Sequence, residues 1–533
     1  MTRLHTALIL CLALAGFAHA APYRIAGATE RGESYAGRGE ARPAAGGLLV
    51  ERATDSGRLR GRLQWTDGAW RGPLLGGPGA RGRLLDTGGA SLEATVTETA
   101  QGYRLRWVDP QGNRGEEEWR GALPTPRDLD PLALDVFAQA VDAAERGVVP
   151  ADRMVSDGNR VDPHLLESGP EIFGAAGELI ASAEREVLIQ TYYWKTPCQA
   201  GDAIFAGLKA LEERRRAAQA EAPVDVFFVI NKHFTTRSNV KNLERDVAQA
   251  GFDPRLLNVR VAPFKQRIFG NLHTKAFVVD GERAILTSAN VHPPQDAPTP
   301  WYEIGAQLAG PVCASLRAEF AQLWERATGD AFPGQRLPLP AAFPDGVPVA
   351  LVSRPSEGNP FRRRMDDPAG VSYTAAIRGA QRRIRILTPH LADATLRSEL
   401  EAALRRGVEV QLVVSKGMGK LRASLPGQGG TNAKNVAKLR EALADDPGAL
   451  ARFQPRWFSQ DGELPQEGNG AGVNHAKFLS VDGELVIVGS SNHDTQALKY
   501  SREVNVVVAD SGLTQAWEAQ VFEPAFARGI AAD

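Results

Sequence analysis

The chain has 533 residues and carries 62 Lys plus Arg against 63 Asp plus Glu, a formal charge of −1. That balance does not fit a dedicated nucleic-acid binder or a polybasic membrane-surface protein. With 43% hydrophobic and 23% charged residues, disorder and collagen-like repetition are excluded as whole-chain descriptions, and the length predicts about three domains.

Arg3, an apolar run over 7–17 and Ala18-His19-Ala20 form the charged, apolar and small-x-small parts of an export signal. Residues 1–20 are therefore expected to be removed, giving an exported chain, periplasmic or secreted, that begins near Ala21. The run is too short to span a bilayer and no later stretch reaches about 18 apolar residues, so no integral membrane segment is expected after cleavage. Cleavage removes Cys11 and leaves Cys198 and Cys313, and the sequence leaves one disulfide or two free thiols open. Neither cysteine has zinc-site spacing, and no metal is assigned.

Residues 21–125 form a Gly- and Arg-rich block without Lys. Alternating runs at 58–65 and 103–107, separated by turn signals such as Pro110-Gln111-Gly112-Asn113, predict a small β-rich accessory domain for docking or architecture. A helical linker follows over 126–150. From about 151 the pattern becomes alternating helix and strand, the signature of α/β units. Prolines over 333–360 divide this region into lobes at 151–332 and 361–533. The two lobes echo each other. Ile180 to Tyr193 aligns with Ile377 to His390, and Ser238-Asn239-Val240-Lys241-Asn242 aligns with Thr431-Asn432-Ala433-Lys434-Asn435. The element order is kept, which predicts a tandem duplication.

The chemistry lies in two copies of one motif. His273-Thr274-Lys275 leads into an apolar strand ending at Asp280-Gly281, and a second strand runs into Ser288-Ala289-Asn290. The second lobe repeats this as His475-Ala476-Lys477, Asp482-Gly483 and Ser490-Ser491-Asn492, and a Glu in apolar context follows each copy, Glu303 and Glu503. In a strand, residues two apart share a face, so the His and Lys project together. Asp-Gly makes a hairpin turn that brings the Ser and Asn back beside them. An imidazole, an ammonium, a hydroxyl and an amide at one sheet edge suit a phosphate. Only 12 of the basic residues are Lys, which gives weight to finding one in each copy.

H-x-K-x4-D-x6-G-S-x-N in two copies resembles the phospholipase D superfamily, which includes bacterial cardiolipin synthases and some nucleases. The resemblance covers roughly 155–530. The second copy fits the pattern in full, and the first has Thr287 where the pattern has Gly. The resemblance implies two tandem phospholipase D-like α/β lobes with pseudo-twofold symmetry, preceded here by the β-rich domain, and one active site between the lobes. It implies that one His attacks phosphorus to form a phosphohistidine while the other protonates the leaving alcohol, with His273 the nucleophile by family habit. Lys275, Lys477, Asn290 and Asn492 would bind phosphoryl oxygens, with Ser288 and Ser490 as second partners, and Glu303 and Glu503 would orient the imidazoles. Asp280 and Asp482 belong to the signature and are carried with the catalytic set, although their turn positions read as structural. No cofactor is implied, since Lys takes the place of a cation on the phosphate.

Smaller signals stay open. Tyr192-Tyr193-Trp194 either lines an acyl or base-stacking groove or packs as a strand end. The basic Gly-rich stretch from Lys416 reads as a solvated loop, and His292 and His493, each just after a motif Asn, are left without a role. The expected substrate is a phospholipid at a membrane surface, with hydrolysis and transfer to an alcohol both open. An exported nuclease is the alternative, weakened by the missing basic footprint. Both motifs in one chain predict a monomer.

Overall fold

The computed structural model describes residues 22–29, 34–44, 47–54, 57–66, 69–76, 91–99, 102–121, 130–233, 236–265, 270–359, 361, 364–417, 429–463 and 472–532. The expected export signal at 1–20 and residues 418–428 of the Gly-rich stretch lie outside the described residues. Two compact units divide the chain, Met1–Arg127 and Asp128–Asp533.

The first unit is a closed barrel of β1 (Pro22–Thr29), β2 (Ser34–Ala44), β3 (Gly47–Thr54), β4 (Gly57–Thr66), β5 (Ala69–Gly76), β6 (Ser91–Thr99), β7 (Gly102–Val108) and β8 (Arg114–Gly121). Each strand is antiparallel to the next, and β8 closes on β1. Alternation along the strands explains the barrel: Leu92, Ala94, Val96, Leu105 and Trp107 are buried, whereas Glu93, Thr97 and Arg106 face water. On the outer face Glu116 bridges Arg104 and Arg106 at 3.2 and 2.7 Å.

The second unit is built on β9 (Val155–Val161), β10 (Leu166–Glu167), β11 (Glu186–Thr191), β12 (Val224–Asn231), β13 (Leu257–Phe264), β14 (Ala276–Val279), β15 (Arg283–Thr287), β16 (Ile304–Ala309), β17 (Val347–Arg354), β18 (Arg383–Thr388), β19 (Glu409–Val414), β20 (Phe453–Trp457), β21 (Phe478–Val481), β22 (Leu485–Gly489), β23 (Glu503–Val508) and β24 (Ile530–Ala531). Among the described residues these form one sheet. Its order is β13-β12-β11-β14-β15-β16-β9-β17-β23-β22-β21-β18-β19-β20-β24, with β10 added beside β16. The order of the first lobe is reversed in the second about the β9–β17 pair, which gives the unit its pseudo-twofold α/β architecture. The parallel strands β11 and β12 are buried along nearly their whole length, which is why they carry the continuous apolar runs at 187–189 and 226–230.

Three local readings change. The span 333–360 is not only a linker, since it contains β17 at the centre of the sheet. Pro348 stands next to the strand's first residue, where a missing N–H costs little, and the pairing with β9 shifts register there. The H-x-K segments are not strand residues either. The β14 and β21 ladders begin after each Lys, and His273 and His475 instead bond to backbone of the opposite lobe. The helical linker read over 126–150 contains the helix Pro131–Asp142, capped by Asp130, followed by a single tight turn at Ala144–Arg146. Cys198 and Cys313 are buried free thiols. No helix among the described residues is long and apolar enough to cross a membrane.

Candidate active site

Each motif opens its hairpin with an Asp-Gly turn in the left-handed region: φ is 55° at Asp280 and 66° at Gly281, 57° at Asp482 and 72° at Gly483. Both φ values positive is the geometry that favours Asp-Gly in two-residue hairpins. The Asp carboxylates do a second job. Asp280 accepts from the backbone N–H of Glu184, Arg185 and Glu186 at 2.8–2.9 Å, and Asp482 accepts from Gln381, Arg382 and Arg383 at 2.7–2.8 Å. Each Asp thereby ties the hairpin turn to the start of the neighbouring strand. Neither is among the groups that meet at the imidazoles, so the placing of Asp280 and Asp482 in the catalytic set is corrected to a structural role.

The imidazoles are held across the lobe boundary. Leu272 bridges Arg502 and Tyr302 bridges Asn474 in parallel, with His273 N–H donating to the Arg502 carbonyl at 3.0 Å and His475 N–H to the Tyr302 carbonyl at 2.8 Å. The residue after each bridge is the Glu. Glu503 of the second lobe therefore meets His273 of the first, with Nδ1 2.9 Å from Oε1. Glu303 of the first lobe meets His475 of the second, with Nδ1 2.9 Å from both carboxylate oxygens.

Burial alone would raise the Glu303 carboxyl, but His475, Lys477 and Ser288 together pull it down to about 2. An ionised Glu303 keeps one proton on Nδ1 and stabilises a second on Nε2, so that His475 can give or take a proton at Nε2. Burial also pushes His475 itself down to about 3, with Glu303 opposing. On the other side burial pushes Glu503 up to about 8, only partly offset by Lys275 and Ser490. The half-sites thus share a constellation and differ in proton affinity.

Lys275 and Lys477 are almost fully buried, and each ammonium donates to the carbonyl of its motif His. Burial lowers Lys275 to about 8 and Lys477 to about 7, while Glu303 and Glu503 act on both. Charge from each lobe therefore reaches the other's half-site. The buried amide oxygens of Asn290 and Asn492 have no hydrogen-bond partner. An unpartnered buried amide oxygen calls for an incoming donor, such as a hydroxyl, while a phosphoryl oxygen would accept from the amide N–H of the same side chain.

The serines are used differently from the sequence reading. Ser490 donates to Glu503 at 2.5 Å, and Ser288 and Ser490 each pair with strand backbone through the carbonyl and N–H of Ile304 and Val504. Their hydroxyls orient the glutamates and are not presented to a phosphate. The Thr287 departure has a steric explanation. Thr287 faces Gly305 across the β15–β16 ladder, whereas Gly489 faces Asn505 across β22–β23. A Cβ at Gly489 would lie 2.6 Å from the Asn505 Cα. The small residue has changed strand, and the Thr287 hydroxyl accepts from the Ala289 N–H as the Asn505 amide oxygen accepts from the Ser491 N–H in the other lobe.

The aromatic strand end divides between both readings. Trp194 is core, packed on Phe228 and donating to Asp246. Tyr192 packs edge-on against His273 with centroids 5.2 Å apart, and Tyr193 stacks on His292. Sequence reasoning missed Trp301, whose ring lies 5.2 Å from that of His475, and Gln295, whose amide bonds Glu303 at 2.9 Å. Trp301 stands two residues before Glu303, and that proximity was the available signal. Among the described residues, no group of three or more His, Cys, Asp or Glu is arranged to hold a metal.

The family model described as "Cardiolipin synthase, PLD-like domain" matches residues 373–523. Cardiolipin synthase A of Pseudomonas syringae pv. syringae (strain B728a) is 26% identical over 370 residues, 67% of this chain and 67% of that protein. Cardiolipin synthase A of Pseudomonas aeruginosa (strain LESB58) is 26% identical over 386 residues, 70% of this chain and 68% of that protein. Among solved structures, the phosphatidylserine synthase of Haemophilus influenzae Rd KW20 aligns over 73% of this chain and 89% of its own, at 14% identity and a TM-score of 0.48.

Proposed function

The chain belongs to the phospholipase D superfamily, on its cardiolipin synthase-like side, and from that premise we propose that it transfers phosphatidyl groups of phospholipids through a phosphohistidine. The observation that carries the reading is the crossed pairing, in which each motif imidazole is held at Nδ1 by the glutamate of the other lobe.

In the first half-reaction His273 Nε2 forms a bond to phosphorus as the bond to the leaving alcohol breaks, and His475, entering as the imidazolium that ionised Glu303 and the bound anionic phosphodiester stabilise, gives its Nε2 proton to that alcohol. In the second, His475 takes a proton from an acceptor hydroxyl, which attacks phosphorus and frees His273. Lys275, Lys477, Asn290 and Asn492 hold the phosphoryl oxygens, and their buried setting strengthens that interaction as charge develops. Water as acceptor gives phosphatidic acid, and an alcohol gives a new phosphodiester. Pseudomonas relatives named cardiolipin synthase A favour the alcohol, with a phospholipid at a membrane surface as donor. Export follows from the signal-like residues 1–20, and a monomer from both half-sites lying in one chain.

The test uses chain lacking residues 1–20, EDTA, and phosphatidylglycerol vesicles with and without glycerol or ethanol, products being read by mass spectrometry beside a plasmid DNA control. Cardiolipin or a phosphatidylalcohol is expected, lost in His273→Ala and His475→Ala variants that keep the wild-type circular dichroism. Intact lipid beside nicked DNA would overturn the lipid reading in favour of a nuclease. Full activity in either folded His variant would overturn the two-histidine mechanism.

A further inference from the structure

We propose that Arg502 is a positioning residue that holds Glu503 against His273 by mooring the end of the second lobe's strand in the first lobe. The inference rests on the two-histidine reading and adds to it a residue outside both motifs.

Arg502 is 1% exposed and stands immediately before Glu503. Its backbone makes the cross-lobe bridge, donating to the Asn271 carbonyl at 2.6 Å and accepting from His273 N–H at 3.0 Å. The side chain continues in the same direction, into the first lobe. Nε donates to Glu319 Oε1 at 2.7 Å, Nη1 to Gln322 Oε1 at 2.6 Å, and Nη2 to the Glu319 carbonyl at 2.9 Å. Glu319 and Gln322 lie on the helix Pro311–Thr328. Glu319, fully buried, also accepts from Gln190 at 2.9 Å. Gln190 pairs with Ala276, the residue after Lys275. A planar guanidinium with three filled hydrogen-bond directions fixes position more tightly than a single contact can. Both sides of the His273–Glu503 contact are thus fastened to the same buried carboxylate, one through Arg502 and one through Gln190.

The other half-site lacks this device. Tyr302, which precedes Glu303, rests on Phe458 and donates to Glu167 at 2.7 Å. An uncharged phenol occupies the place that a buried ion pair occupies beside Glu503. Removal of Arg502 should therefore weaken the His273 step specifically, because a carboxyl group displaced by an ångström no longer fixes the imidazole.

Arg502→Met alone would leave Glu319 as an unpaired buried charge, so the informative variant is Arg502→Met with Glu319→Gln, alongside Arg502→Lys. Turnover is measured on bis(p-nitrophenyl) phosphate, a soluble diester that needs no lipid surface, together with urea unfolding midpoints. The downfield proton NMR signal of the hydrogen shared by His273 Nδ1 and Glu503, assigned by its loss in His273→Ala, is recorded in parallel. In the double variant kcat is expected to fall by about 10- to 100-fold with KM nearly unchanged and the His273 signal shifted or broadened. Arg502→Lys should recover part of kcat. In a Glu503→Gln background the same substitutions should cost less than about twofold, because they act through a carboxyl group already gone.

Wild-type kcat in a folded double variant, or a loss fully additive with Glu503→Gln, would overturn the proposal. Should the double variant not fold, Arg502→Lys decides, and wild-type kcat with an unmoved His273 signal there overturns it. Absence of turnover in the wild type would sink the functional reading instead, and the NMR signal would still test the mooring.

Discussion

Asp280→Asn separates a structural from a chemical role for the signature aspartate. In the wild type one carboxylate oxygen accepts from Arg185 and Glu186 and the other from Glu184, all three bonds charge-assisted. Asn keeps one oxygen for the first two donors and turns an amide N–H toward the third, so one bond becomes a donor–donor contact and the other two lose their charge. At about 1.5 kcal/mol for a hydrogen bond to a charged group, losing one and weakening two should cost about 2 kcal/mol. The left-handed backbone, φ 55°, adds little because Asn tolerates it as Asp does. Asp280→Ala loses all three bonds, about 4.5 kcal/mol, and adds about 1 kcal/mol because Ala lacks the short polar side chain with which Asp tolerates that region. Such a sum is a large part of an ordinary domain's stability, which makes Asn the variant to assay. Urea midpoints should drop while kcat per folded molecule stays within about twofold of wild type. An unchanged midpoint with a kcat loss above about 100-fold would refute the structural argument and put Asp280 in the chemistry.

Other outcomes follow from the same geometry. Glu303→Gln should lower kcat by about 100-fold or more with little change in KM, since an amide does not hold the proton on His475 Nδ1 or stabilise the imidazolium; an unaltered kcat would remove Glu303 from the mechanism. His493 is fully buried with neither ring nitrogen partnered, and burial pushes it down to about 3. The unfolded chain protonates this His from about pH 6.5 and the folded chain does not, so its contribution to stability is lost as pH falls from 6.5 toward 3, about 2 kcal/mol by pH 5. His493→Leu should therefore unfold at higher urea than wild type near pH 5 and similarly near pH 7.5, and parallel midpoints at both would contradict this. Lys477, lowered to about 7, and Lys275, lowered to about 8, lose charge as pH rises through those values. Affinity for a phosphate mimic such as tungstate should decline between about pH 6.5 and 9, and a flat profile would mean that other groups hold the anion. Turnover should survive EDTA, because the lysines supply the positive charge; chelator-sensitive activity restored by a divalent ion would reverse that.

What the sequence by itself determined is the part of this protein that is local. Asp-Gly at 280–281 and 482–483 fixes a hairpin through backbone sterics, and the spacing from His to Asn follows from two short strands and one turn. Alternation at 58–65 and 103–107 marks half-buried strands, and the continuous apolar runs at 187–189 and 226–230 mark covered parallel ones, because periodicity reports which faces meet water. Tertiary structure decided everything that crosses between lobes. His475 and Glu303 are 172 positions apart and His273 and Glu503 are 230 apart, and no local pattern could tell that each glutamate serves the other lobe's histidine. The Thr287–Gly305 exchange was hidden for the same reason, since steric fit across a ladder depends on the partner strand. Pro348 masked β17 because a proline removes a donor, and only the register with β9 shows that this donor was not needed. Charge follows the same division: composition gives −1 for the whole chain, but it is burial among neighbours from both lobes that brings two lysines down to about 7 and 8 beside glutamates near 2 and 8.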